Sequence, residues 1–196
     1  MHDEEIWGHV DAQRAELADL LETLVPAQWA TPSLCDAWTV REVAVHLVQA
    51  NVGWGRMALE ALRSGFRFDA MMARVAREDR RSTDEIVATL RGMVGSRRRP
   101  PGTKVVDPLL DALVHGQDIA RPLGLPRTMP QDAALVVADR LWTMTFPINA
   151  RRRFPDVRFE ATDAPFAVGS GRVVARPLDD VVMLLAGRNI GPSEHV

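Results

Sequence analysis

Cysteine occurs once in the 196 residues, at Cys35, so the chain cannot form an intrachain disulfide. Lysine is nearly missing as well. Of the 24 basic side chains one is lysine, Lys104, and the other 23 are arginine, a ratio typical of GC-rich coding and demanded by no fold. No run approaches the ~20 apolar residues that a membrane span needs. The first residues, "MHDEEIWGHVD", lack the basic start and apolar core of a secretory signal. Basic blocks are short, "SRRRP" at 96–100 and "RRR" at 151–153, and the formal net charge is −2. Nucleic-acid binding needs cations clustered along one face, so no nucleic-acid partner is expected. A soluble, cytoplasmic protein without a membrane partner is the expectation.

What is present is a strong apolar rhythm. With 46% apolar residues the chain can bury a core unaided, and its length suits one domain with at most a small appendage. Helical spacing runs through 4–24, closed by Pro26, and again from Thr39 to about residue 64, where Thr39 and Glu42 fit a capping box. Gly53 and Gly55 weaken that second helix, and Gly65 stops it. A short helix is expected at 69–79, and a third long one follows Ser82, which is spaced from Glu85 as a second capping box. "RPPGTKVV" breaks the pattern. Asp107 then caps a fourth helix, with Pro108 in its first turn, running to about Arg121; a fifth lies near 130–146. After Pro155 the pattern alternates around Gly-Ser-Gly, a hairpin signature, and "LDDVVMLLAGR" forms a short helix. The expected fold is mainly α: a helical bundle over 1–150 and a small α+β subdomain, a β-hairpin plus a short helix, over 155–196.

The polar residues inside these apolar helices carry the chemistry. Asp111, His115 and Asp118 fall four and three apart within "DPLLDALVHGQDIARPLG", which places them on one helix face. His46 stands among aliphatics in "VAVHLV" on the second helix, whereas His2 and His195 lie near the ends and His9 fits a surface position. A single core histidine is ordinarily satisfied by a carboxylate. Two histidines on adjacent helices, one of them a turn from an aspartate, form a set that bundles use to hold a metal between facing helices. Two imidazoles and one carboxylate leave coordination positions for water or substrate, as in catalytic zinc sites, and the same set suits iron(II). Asp118 is placed to orient a ligand from behind, or else to pair with Arg121. Trp38, Trp54 and Trp142 are candidate pocket walls or core. Arg41 is the candidate contact for an anionic substrate, with Arg56 and Arg188 as weaker versions. Cys35 sits in a loop with no base beside it to lower its pKa, so a structural role is expected.

Three stretches, "LVPAQWATPSLCDAWTVREVAVHLVQAN", "LLDALVHGQDIARPLG" and "RFEATDAPFAVGSGRVVARPLDDVVMLLAGR", together resemble the mycothiol-dependent maleylpyruvate isomerase family, within the DinB-like metal-binding helical bundles. The resemblance implies a DinB-like four-helix bundle with a divalent metal, zinc foremost. It matches His46 to the family's first metal-binding histidine, and Asp111 and His115 to its helical acid-x-x-x-His pair. The acid is glutamate in the isomerases and is replaced by histidine in other DinB-like proteins; aspartate here is one methylene shorter than glutamate. The resemblance further implies mycothiol as thiol cosubstrate and a small electrophile as its target. The reaction would be S-transfer or cis–trans isomerisation. The alternative is a non-catalytic metal-binding bundle with a structural, sensing or docking role. Oligomeric state stays open, a homodimer included.

Overall fold

In the computed structural model, residues 1–49, 74–99 and 102–191 are described. Helix α1 (Asp3–Glu22) opens with Asp3, Glu4 and Glu5, which suit the positive end of a helix dipole, and Glu5 accepts the His2 N–H at 2.6 Å. A single turn, α2 (Pro26–Trp29), leads to α3 (Val40–Gln49). Its start is fixed by the capping box: Thr39 donates its N–H to Glu42 Oε2 at 2.6 Å, and the Glu42 N–H reaches Thr39 Oγ1 at 3.3 Å. The box at Ser82 and Glu85 starts α4 (Thr83–Arg91) in the same way. Helix α4 is shorter than its periodicity predicts. Gly92 caps it, and the chain reverses at Gly95 with φ of +82°.

Helix α5 (Asp107–Ala120) is the central element. Asp107 does not cap it from outside. It is the first helical residue; one carboxylate oxygen takes the Lys104 N–H at 2.7 Å and the other an Arg140 N–H at 2.6 Å. Helices α1, α3, α4 and α5 form a ring: α1 and α3 each pack against both α4 and α5. Inside it lies one apolar cluster, with Leu17, Leu21, Val43, Ala44, Ile86, Leu90 and Ile119. Helix α6 (Gln131–Thr143) packs on the far side of α5 and on α8 (Leu178–Leu185), around a second cluster that includes Leu109, Leu113, Val137, Leu141, Phe159 and Val182. Among the described residues, no helix is long and apolar enough to cross a membrane.

Between α6 and α8 come the turn α7 (Ala150–Arg153) and a three-stranded sheet of β1 (Val157–Ala161), β2 (Ala167–Gly169) and β3 (Arg172–Arg176), in the order β2-β1-β3. The hairpin is present, but its turn lies at 162–166 and not at Gly-Ser-Gly. β1 pairs antiparallel with β2 and parallel with β3. Gly169 and Gly171 instead carry the chain across the start of β1. Both have positive φ, and a Cβ on either would stand 2.2 Å from Val157 O or 2.5 Å from Asp156 O. Only glycine fits so close a backbone crossing. The expected continuation of α3 to residue 64, with Gly53, Trp54, Gly55 and Arg56, lies outside the described residues. So do Gly65, the first part of the helix at 69–79 (its described part is helical over 74–78), Pro100, Pro101 and His195.

Candidate metal centre

Helices α3 and α5 lie side by side in the ring, and the polar row of α5 faces α3. His46, Asp111 and His115 each present a donor atom, and these atoms all lie within 4.8 Å of one another. The two imidazoles meet edge to face, with ring centroids 4.9 Å apart and planes at 79°. The indole of Trp38 also meets His46 edge-on, at 5.4 Å. Beside Asp111 is a cavity of about 60 Å³, lined by Leu17, Leu47, Met93 and the buried Arg14 among others.

His115 is oriented from behind. Its Nδ1 lies 2.8 Å from Asp118 Oδ2. Asp118 is wholly buried and also receives two N–H bonds from Arg188, Nε to Oδ1 and Nη2 to Oδ2, each 2.8 Å. Burial pushes the Asp118 carboxyl upward; the bonds from His115 and Arg188 outweigh it and hold it below its ordinary value. Burial likewise opposes the charge on Arg188, and Asp118 more than restores it. An ionised carboxylate can only accept, so it fixes the proton of His115 on Nδ1 and leaves the Nε2 lone pair for a ligand.

The other two donors have no such partner among the described residues. His46 Nδ1 is buried there without a hydrogen bond. Burial, reinforced by His115 and Arg188, lowers the His46 pKa to about 3, so the ring is neutral at physiological pH. Burial raises the Asp111 carboxyl, with His115 acting in the opposite direction. A buried polar group without a partner is costly, and neutral imidazole and carboxylate are the forms that ligate a divalent ion. Donors on a tetrahedral zinc stand about 3.3–3.5 Å apart, given bonds of about 2.0–2.2 Å. The present spread is within reach of small side-chain rotations. On the orphaned imidazole nitrogen, the free Nε2 and the hard–borderline donor set, the residues fit a divalent metal.

The remaining candidates lie elsewhere. Arg41 donates Nη2 to the carbonyls of Asp79 and Arg81 at 3.0 and 2.7 Å, and lines a separate groove with Leu24, Trp29 and Thr83. Arg121 bonds Gln117 and Asp180, not Asp118. Trp142 packs under Arg151 near the β crossing. His9 pairs with Asp132 at 3.0 Å. Cys35 is half-buried. The residue that sequence reasoning underrated is Arg188. It is 70 positions from Asp118, and no local spacing links the two.

A ring of four helices with donors converging from two of them defines the class of protein: a helical bundle with a small C-terminal α+β appendage. Residues 10–102, a little under half of the chain, match the family model of the mycothiol maleylpyruvate isomerase N-terminal domain. The match takes in His46 and stops before Asp111 and His115. No curated protein and no solved structure matches the chain.

Proposed function

We propose that this chain is a metal-dependent enzyme that uses a low-molecular-weight thiol, mycothiol, on a small electrophile, as an S-transferase or a cis–trans isomerase. The observation that carries the proposal is the convergence of His46, Asp111 and His115 with Asp118 bonded behind His115. His46 and His115 would supply neutral nitrogens and Asp111 one anionic oxygen to a divalent ion, zinc foremost. Three protein ligands are the number that leaves a position open for a reactant. A divalent ion held there supplies the Lewis acidity that deprotonates a coordinating thiol at neutral pH. Asp118 keeps the His115 ring aimed through the exchange of thiol and product. Trp38, edge-on to His46, packs against that ring and restricts it. A thiol cosubstrate needs a reducing compartment, so the cytoplasm is the expected location.

The test is turnover of chlorodinitrobenzene with mycothiol by zinc-loaded and chelator-stripped protein, beside His46→Ala and His115→Ala. Thiol-dependent turnover that needs both the metal and the two histidines supports the proposal. Full zinc loading with no thiol-dependent turnover of any electrophile tried would sink it. One feature favours a second reading, a non-catalytic metal-binding bundle. Asp111 is one methylene shorter than the glutamate of the isomerases it resembles, and reach matters where ligand distances must hold to about 0.2 Å. A large stabilisation by zinc without thiol binding would favour that role.

A further inference from the structure

We propose that Arg188 is a positioning residue for the metal centre: by clamping Asp118 it sets the aim of His115, and so couples docking of the C-terminal segment to metal affinity. The inference rests on the metal-site reading above.

The chain leaves α8 through Ala186 and Gly187, whose φ of +84° turns it back toward the bundle. A Cβ at Gly187 would stand 2.5 Å from Arg153 Nη1, so glycine also makes room for the turn. The Arg188 N–H then bonds Met183 O at 2.9 Å, and Arg188 Nη1 bonds Ala186 O at 3.1 Å. Arg188 is thus held once at its backbone and once at Nη1, and the other two guanidinium nitrogens reach Asp118. There it forms a two-toothed fork, one nitrogen to each carboxylate oxygen, both at 2.8 Å. A single hydrogen bond leaves a carboxylate free to turn about its last torsion. A planar fork fixes its plane as well. That plane decides where Oδ2 points, and Oδ2 is the atom that His115 Nδ1 bonds. Leu34 N–H holds the backbone carbonyl of Asp118 at 3.1 Å, so the whole residue is pinned from two sides. A plain structural ion pair on the surface would not be built this way, because Asp118 is wholly buried and its second partner is a candidate ligand.

The coupling must be reciprocal. If the fork favours the metal-competent pose of His115, a bound metal must favour docking of Arg188. The experiment measures zinc affinity by competition with a chromophoric chelator, and cobalt(II) d–d spectra, on the full chain as wild type, Arg188→Lys, Asp118→Asn and the double variant. Arg188→Lys keeps the charge and loses the fork. Loss of such an outer partner is expected to weaken zinc about 10–100-fold. The double variant should lose little more than either single one, because the two residues act as a unit. The cobalt spectrum should shift in Arg188→Lys. Unchanged affinity and spectrum in a folded Arg188→Lys that binds zinc overturns the proposal. Hydrogen exchange on wild type gives a reading that needs no variant. Zinc should slow the amides at 181–188 selectively, and equal exchange there with and without bound zinc overturns the coupling. If wild type binds no zinc or cobalt at all, the metal-site reading itself fails, an outcome distinct from intact binding that ignores Arg188.

Discussion

Replacing His46 by leucine should reverse the order of stability between the metal-free and the metal-loaded protein. In the metal-free state His46 is a liability. Its Nδ1 is buried with no partner among the described residues, and an unmet buried polar atom costs about 1–3 kcal/mol. Leucine has no such atom and a similar volume. Against this stand the two lost edge contacts, to Trp38 and His115, which the leucine methyls replace in part, so that about 0.5–1.5 kcal/mol is lost in all, and some misfit of shape. The balance leaves His46→Leu equal to wild type or up to about 2 kcal/mol more stable without metal. With zinc at about 100 times its Kd, wild type gains about 2.7 kcal/mol, and the variant gains nothing. For a chain of this length that is a rise in Tm of about 5–11 °C.

Acid sharpens the test. In the metal-free fold the pKa of His46 is lowered from 6.5 to about 3 by burial, so between those values the unfolded chain binds the extra proton and stability falls as the pH falls. From pH 7 to pH 5 this histidine alone removes about 2 kcal/mol from wild type, and that part of the slope vanishes in His46→Leu. The assay is scanning calorimetry at both pH values, after exhaustive chelation and after zinc addition. The reasoning is refuted if, without metal at pH 7, the variant unfolds more than about 1 kcal/mol more easily than wild type. It is equally refuted if zinc raises both proteins alike.

Asp111→Asn should act in the same sense by another route. It removes an anionic donor, so zinc affinity should fall by at least about 10-fold in chelator competition, while the metal-free protein, relieved of a carboxyl that burial disfavours, loses no stability. Gly169→Ala should destabilise the protein by more than about 2 kcal/mol in urea unfolding, since its Cβ would stand 2.2 Å from Val157 O at a φ of +84°. Gly8→Ala is the contrasting change: the site lies in α1 with nothing within 4 Å, and thermal unfolding should show a gain of about 0.5–1 kcal/mol. Gly116→Ala should cost about 1–3 kcal/mol in the same measurement, because its Cβ would press at 2.5 Å on Arg127 Nε. That guanidinium is buried and held by Gln13 at 2.6 Å, so it has little room to retreat.

How much was legible in the sequence follows from how local each feature is. The helix starts at Thr39 and Ser82 were legible because a capping box is closed within four residues. The shared face of Asp111, His115 and Asp118 was legible because 3.6 residues per turn sets it. The early end of α4 was not, since its apolar spacing runs on through Met93 while Gly92 and Gly95 end the helix. The order β2-β1-β3 was also hidden. Alternation reveals strands and says nothing about which strand takes the middle, and Gly-Ser-Gly reads equally well as a hairpin turn or as a crossing. The bond between Arg188 and Asp118 is purely tertiary. It depends on α8 returning to α5, which no window of sequence contains.

The place of α5 explains why so apolar a helix carries Asp111, His115 and Asp118 in one row. It belongs to both apolar clusters: Leu109 and Leu113 serve the one shared with α6 and α8, and Ile119 the one inside the ring. A helix covered on two sides has little solvent face on which to put polar groups, so those beyond its first turn must find their partners largely inside. Asp118 finds two, His115 and Arg188, and is fully satisfied. His115 finds one at Nδ1 and keeps Nε2 free, while Asp111 and His46 Nδ1 have no hydrogen-bond partner among the described residues. Packing alone would favour leucine at all of these positions, as buried polar networks left half satisfied are worse than an apolar core. The satisfied half of the row faces the C-terminal segment, and the unsatisfied half converges on one point between α3 and α5. A divalent ion at that point is the single addition that would satisfy the whole row at once.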